Sequence, residues 1–153
     1  MRVEIEKKFL VENVPFVLNG YKYAEIVQGY IAVEEGYAEV RVRKMDNKYM
    51  LTIKSDRTNF RMEEECMLST QQGKRLLNFC KDRLIRKTRY YIPYNEVIIE
   101  LDIFRGPLED LKIAEVEFKN IDEMNNFIIP SWFGPDITED KRYKNKNLAI
   151  YGL

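Results

Sequence analysis

The feature that most constrains this chain is a period of two. Through most of its 153 residues, charged and apolar side chains alternate. Successive residues of a β-strand point to opposite faces, so this alternation selects strands over helices. Eight segments carry it: Arg2–Leu10, Val27–Val33, Tyr37–Lys44, Tyr49–Lys54, Arg61–Leu68, Arg86–Pro93, Val97–Phe104 and Ile113–Phe118. Gly36 and the Asp46-Asn47 pair supply turn chemistry. Short connections between strands of this kind predict an antiparallel barrel or sandwich. Three helical patterns interrupt them. Thr70–Leu84 has Leu76, Leu77, Cys80 and Leu84 at helical spacing, with Ser69 or Thr70 as its cap. Asp122–Ile128 is short and would be capped by Asp122, and Thr138–Ala149 would be capped by Thr138. The expected fold is α+β and mainly β, an eight-stranded antiparallel β-barrel with flanking helices, in one domain over residues 1–153.

The alternation also sorts the charges. Glu4, Glu6 and Lys8 share a face in the first strand, and Glu39, Arg41 and Arg43 in the third. Thr52 and Lys54 share a face in the fourth, Lys87 and Arg89 in the sixth, Glu100 and Asp102 in the seventh, and Glu115 and Glu117 in the eighth. In the fifth, Glu63, Glu64 and Glu65 are consecutive and only two can share a face. Glu63 and Glu65 are the choice that leaves Met62 and Cys66 on the apolar side. Strand by strand, an ordinary sheet with one solvated face gives the same alternation. Two features weigh against that simpler account. The charges come in like-signed doublets, where a solvated face mixes in more Ser, Thr, Gln and Asn. Like-signed doublets also repel, so a ligand or counter-ion is their natural compensation. In a closed sheet the apolar face meets the helices and the charged face lines the interior. Such an interior suits a polyanion with several phosphate oxygens, held by Lys and Arg, together with Mg²⁺ or Mn²⁺ held by carboxylates. This is phosphoryl chemistry without a protein nucleophile.

Composition removes competing classes. The chain has no His, which excludes His-based triads and His–zinc sites. Lys plus Arg is 25 and Asp plus Glu is 25, a balance that argues against a general nucleic-acid binder or a polybasic membrane-surface protein. The Lys81–Arg89 and Lys141–Lys146 charge runs read as solvated helix faces. Cys66 and Cys80 form no CxxC and read as reduced, partly buried thiols of a cytoplasmic protein. The N-terminus shows no apolar signal segment, and no apolar run approaches the roughly 18 residues of a membrane span.

Taken in order, the doublets resemble the CYTH superfamily, the triphosphate tunnel metalloenzymes. The series begins with ExExK at Glu4–Lys8 and RVR at Arg41–Arg43. Lys54, the glutamates of RMEEE, KTR at Lys87–Arg89, ELD at Glu100–Asp102 and EVE at Glu115–Glu117 follow. It ends in TEDKRYKNKNLA over Thr138–Ala149. The WFG of Trp132–Gly134 is similar to the bacterial branch. The resemblance implies an eight-stranded tunnel and metal-dependent hydrolysis of a triphosphate. It implies that Glu4, Glu6 and Glu117 bind a first Mg²⁺ or Mn²⁺, and that Glu63, Glu65, Glu100, Asp102 and Glu115 serve a second metal or its waters. It implies a phosphate clamp of Lys8, Arg41, Arg43, Lys54, Lys87 and Arg89, with Lys141 at the tunnel mouth. Tyr30, in Gln28-Gly29-Tyr30, is family-like, with core packing as the other reading. Inorganic tripolyphosphate is the favoured substrate, because the C-terminal block resembles the tripolyphosphatases. A class IV-type adenylyl cyclase, a thiamine triphosphatase and a non-catalytic polyphosphate or nucleotide sensor are the alternatives. A homodimer is a family-level expectation.

Overall fold

The computed structural model describes residues 4–56 and 62–153. Their eight strands are β1 (Ile5–Leu10), β2 (Lys22–Glu34), β3 (Ala38–Met45), β4 (Lys48–Ser55), β5 (Glu63–Leu68), β6 (Leu84–Tyr94), β7 (Val97–Phe104) and β8 (Lys112–Phe118). The helices are α1 (Thr70–Phe79), α2 (Ile121–Asn125) and α3 (Asn145–Tyr151). Every ladder with a determined register is antiparallel. The fold is therefore α+β and mainly β, as the alternation predicts. Arg2, Val3 and Arg61, placed by the sequence in the first and fifth strands, lie outside the described residues.

The sheet runs in the order β1-β8-β7-β6-β2-β3-β4-β5. Among the described residues no ladder joins β1 to β5, so the sheet is open where a closed barrel was expected. On the β1 side the cause is visible. The outer edge of Lys8–Leu10 is already occupied by the segment 134–138: Leu10 N donates to Pro135 O at 3.0 Å, Gly134 N to Leu10 O at 2.7 Å and Ile137 N to Lys8 O at 2.8 Å.

The described residues gather into two compact units. Residues 25–86 and 142–153 belong to the first, residues 4–24 and 87–141 to the second. In the first, the two-residue turn Asp46-Asn47 joins β3 to β4, with Asp46 at φ 53°, a left-handed conformation that Asp and Asn adopt more readily than most residues. Helix α1 lies close against the sheet, and glycines set that distance. A Cβ on Gly73 would stand 2.1 Å from the Tyr49 ring, and one on Gly29 would stand 2.2 Å from Cys80 Sγ. Ser69 caps α1 through a capping box with Gln72, as the sequence suggests. The helix stops earlier than the expected Leu84. Cys80 leaves helical geometry, Arg83 N turns back to Cys80 O at 2.9 Å, and Leu84 opens β6. Cys80 is buried while Cys66 is exposed, so only one of the thiols is shielded.

In the second unit, the inward faces of β6, β7 and β8 bury Ile92, Ile99, Leu101, Ala114, Val116 and Phe118 with Val11. Burial of a large apolar side chain contributes about 1.5–3 kcal/mol, so this layer is the main support for the strands that carry the charges on their other face. Trp132 packs edge-on against Phe133 and Phe16, at centroid distances of 4.7 Å and 5.3 Å. Asn120, rather than Asp122, caps α2, accepting from Glu123 N at 2.8 Å. The last helix also differs from expectation. Thr138 lies in a turn closed by the Asp140 N bond to Ile137 O at 3.0 Å, and α3 begins at Asn145 after a short 3-10 turn at Lys141–Tyr143. Among the described residues no helix is long and apolar enough to cross a membrane.

The Gly73 contact is testable against helix propensity. Ala in place of Gly favours a helix by about 1 kcal/mol, whereas overpacking costs about 1–3 kcal/mol. Gly73→Ala is therefore expected to lower stability in a urea titration; equal or higher stability would show that Tyr49 yields freely.

Candidate active site

The ladder registers fix which charges share a face. In the second unit, Glu6 pairs with Glu117 and Lys8 with Glu115 across β1 and β8. Glu100 pairs with Glu115 across β7 and β8, and Arg89 with Asp102 across β6 and β7. Glu6, Lys8, Lys87, Arg89, Glu100, Asp102, Glu115 and Glu117 therefore fall on the face opposite the apolar layer, as alternation requires. Glu4 lies just before β1, and Lys141 is exposed on the 3-10 turn.

The centre of this face is Asp102, which is 2% exposed. Its carboxylate accepts from Lys87 Nζ at 2.7 Å, from Arg89 Nε at 2.7 Å and from Arg89 Nη2 at 2.9 Å. Burial alone would raise the Asp102 pKa, but the Lys87 ammonium and the Arg89 guanidinium outweigh it and bring it down to about 2. Burial pushes the Lys87 ammonium down to about 8 against the pull of Asp102. With both oxygens taken by cationic donors, Asp102 acts as the anion that seats Lys87 and Arg89.

The other carboxylates are arranged differently. Glu100 and Glu115 stand directly opposite, where like charges repel. Arg89 answers both, with Nη1 at 2.5 Å from Glu100 and Nη2 at 4.0 Å from Glu115. Glu6 hydrogen-bonds Glu115. Burial, this bond and the repulsion between the two push the Glu6 pKa up to about 8, so Glu6 holds the shared proton. A proton held between carboxylates marks a place that a divalent cation fits, and all-oxygen donors suit Mg²⁺ or Mn²⁺. Among the described residues, no three carboxylates are already gathered at metal-ligand spacing.

In the first unit, Arg41 pairs with Thr52, Thr52 with Glu65, and Lys54 with both Glu39 and Glu63. Glu64 instead pairs with Ile53, so Glu63 and Glu65 take the charged face, in agreement with the sequence choice. Arg41 lies 4.0 Å from Glu39 and 3.9 Å from Glu63, distances beyond a hydrogen bond. Its Nε is the only buried side-chain polar atom without a hydrogen-bond partner among the described residues.

Sequence reasoning missed Gln28 and left Tyr30 between two roles. Both are fully buried and lie on the charged face, opposite Arg43 and Arg41. Arg43 Nε donates to Gln28 Oε1 at 2.7 Å, and Gln28 Nε2 donates to Tyr30 Oη at 2.6 Å. Burial pushes the Tyr30 phenol up to about 12, which keeps it protonated. The available signal was an amide inside the apolar run Ile26–Ile31, where a buried polar group needs a partner.

Removing Asp102 would leave two buried cations without their anion. Breaking such a pair costs about 3–5 kcal/mol, so Asp102→Ala is expected to lose stability on that scale in denaturant titrations at neutral pH. The sign with pH follows from the lowered pKa. The Asp102 contribution is present above the unfolded carboxyl pKa near 3.8 and is lost as pH falls toward about 2. Asp102→Asn should show a smaller fall in stability across that window than the parent chain.

No family model matches the chain. It is 40% identical over 150 residues to an inorganic triphosphatase of Nitrosomonas europaea, an alignment covering 96% of this chain and 97% of that one. It is 36% identical over 153 residues to an inorganic triphosphatase of Acetivibrio thermocellus, covering 97% and 94%. Its backbone matches a crystal structure of an inorganic triphosphatase with a TM-score of 0.78 at 38% identity, over 98% of this chain and 96% of that one. A Hippeastrum protein described as an adenylyl cyclase with a dominant triphosphatase activity shares the fold, at a TM-score of 0.56 and 17% identity over 80% of this chain and 83% of that one. Near-full-length likeness at this level of identity, on a sheet carrying the ordered charge doublets, places the chain in the family of these inorganic triphosphatases, within the CYTH superfamily of triphosphate tunnel enzymes.

Proposed function

We propose that the chain is a divalent-metal-dependent hydrolase that splits inorganic tripolyphosphate into diphosphate and phosphate. The observation that carries this reading is Arg41. A guanidinium is a five-donor fork matched to phosphate oxygens. Here its Nε is buried without a partner, and its nearest carboxylates stand at 3.9 and 4.0 Å. Leaving a buried donor unsatisfied costs about 1–3 kcal/mol, and an anionic ligand would recover it.

The same reading assigns phosphate binding to Arg41, Arg43 and Lys54 in the first unit and to Lys8, Lys87 and Arg89 in the second. Gln28 accepts from the Arg43 Nε and so helps to orient its guanidinium. Asp102 seats Arg89 through paired contacts, so its orientation is set before substrate arrives. Glu6 and Glu115, with Glu4 and Glu117 on the same strands or beside them, are the residues that would hold Mg²⁺ or Mn²⁺. Such an ion would supply Lewis-acid polarisation of phosphoryl oxygens and acidify a bound water. Glu6 would release its shared proton as the cation binds.

Phosphate release from tripolyphosphate, ATP and thiamine triphosphate, with cyclic AMP followed in parallel, tests the reading. Tripolyphosphate turnover with Mg²⁺ or Mn²⁺ is expected, and EDTA should abolish it. Arg41→Ala should lower kcat by about 10²–10³-fold, the scale of a lost transition-state donor. Cyclic AMP as the main product, or tripolyphosphate binding with no turnover in either metal, would replace hydrolysis with the cyclase or sensor reading.

A further inference from the structure

The strap over residues 134–138 does more than cover an edge. Among the described residues, strand β1 is paired within the sheet by β8 alone. An edge strand held on one side is prone to local opening, yet β1 carries Glu6 and Lys8. The strap supplies a second side through the three backbone bonds at Lys8 and Leu10 and a bridge between Phe9 and Asp136. Its fit is close: a Cβ on Gly134 would stand 2.7 Å from Leu10 O. Ile137, 5% exposed, anchors it.

The strap ends in a side-chain relay. Lys8 N donates to Thr138 Oγ1 at 3.0 Å. Thr138 donates its own hydroxyl proton to Asp136 Oδ1 at 2.5 Å, and its backbone N donates to the same oxygen at 2.9 Å. The direction of each bond is therefore fixed. With the Thr138 proton committed to Asp136, a hydroxyl lone pair is turned toward the Lys8 amide. A hydroxyl takes the place of a backbone acceptor at the residue that closes the ExExK motif.

Resting on the triphosphatase reading, we propose that Thr138, oriented by Asp136, is a positioning residue that locks the backbone of β1 at Lys8 and so fixes Glu6 and Lys8 for the reaction. It touches no substrate; it acts through the strand. Displacing catalytic groups by about 1 Å can cost on the order of 100-fold in rate, so a loosened strand should be felt in turnover before it is felt in global stability.

The test is Thr138→Val, which keeps the shape and removes the acceptor, with Thr138→Ser as the conservative rescue. Amide hydrogen exchange at Lys8 in the full-length chain should quicken in the Val variant and return toward the parent rate in the Ser variant. With tripolyphosphate, kcat should fall by about tenfold in the Val variant while KM moves less than about threefold, and Ser should restore most of the loss. Unchanged Lys8 exchange in the Val variant would overturn the lock. Quickened exchange with unchanged kcat would overturn the positioning role. If Val unfolds the chain, the Ser variant decides: parent-like exchange and kcat support the lock, and a Ser variant as impaired as Val refutes it. A parent enzyme that releases no phosphate from tripolyphosphate would sink the triphosphatase reading and the positioning role with it, while Lys8 exchange would still judge the lock itself.

Discussion

The charged face of the second unit depends on one carboxylate. Asp102 sits where two cations, Lys87 and Arg89, would otherwise be buried beside each other. Neither burial is tolerable alone, because desolvating a charge costs several kcal/mol before any pairing. With Asp102 between them, three buried ions become one hydrogen-bonded group. The geometry then propagates. Arg89 is pinned by Asp102 through Nε and Nη2, which leaves Nη1 for Glu100 and holds Nη2 within 4.0 Å of Glu115. That leaves Glu115 as partner for Glu6, and Glu6 and Glu115 as the pair that shares a proton. The Lys-x-Arg and Glu-x-Asp doublets are therefore not equivalent acids and bases on a surface. They form an ordered set whose members differ by what already holds them.

The faces were legible in the sequence because a period of two leaves little freedom. Once β6, β7 and β8 are strands, Lys87 and Arg89 must share a side, as must Glu100 with Asp102 and Glu115 with Glu117. Even the run Glu63-Glu64-Glu65 was resolved by asking where Met62 and Cys66 would go. The role of Asp102 was not legible. It depends on register across β6 and β7, which places Asp102 opposite Arg89, and register is a property of two strands that neither states alone. Thr138 shows a different limit. A Thr followed by Glu139 and Asp140 is a sound helix-start signal, but its hydroxyl is engaged by the Lys8 amide, a residue far away in the chain. A tertiary contact overrode a local preference, and α3 starts later. Gln28 was hidden for the opposite reason. Its strand reads as apolar, and only the Arg43 contact reveals why an amide sits there.

The expected barrel failed on the same kind of evidence. Alternation says that strands have two faces, but it is silent about their edges. Closure requires both outer strands to keep their hydrogen-bonding groups available. Strand β1 commits its own at Lys8 and Leu10 to residues 134–138, so part of the edge that a closed sheet needs is filled from within the chain.

That filled edge gives another meaning to the glutamates of β5. An outer strand with unsatisfied backbone groups invites pairing with a second molecule. Strand β1 is shielded by its strap. Strand β5 ends the sheet order on the other side and is exposed along most of its length. It begins with three consecutive carboxylates, one of which, Glu64, points away from the charged face. Two copies meeting edge to edge there would press glutamate against glutamate on both faces at once. The run that offers oxygens on one side of the sheet thus also sets like charge against any second copy that approached this edge.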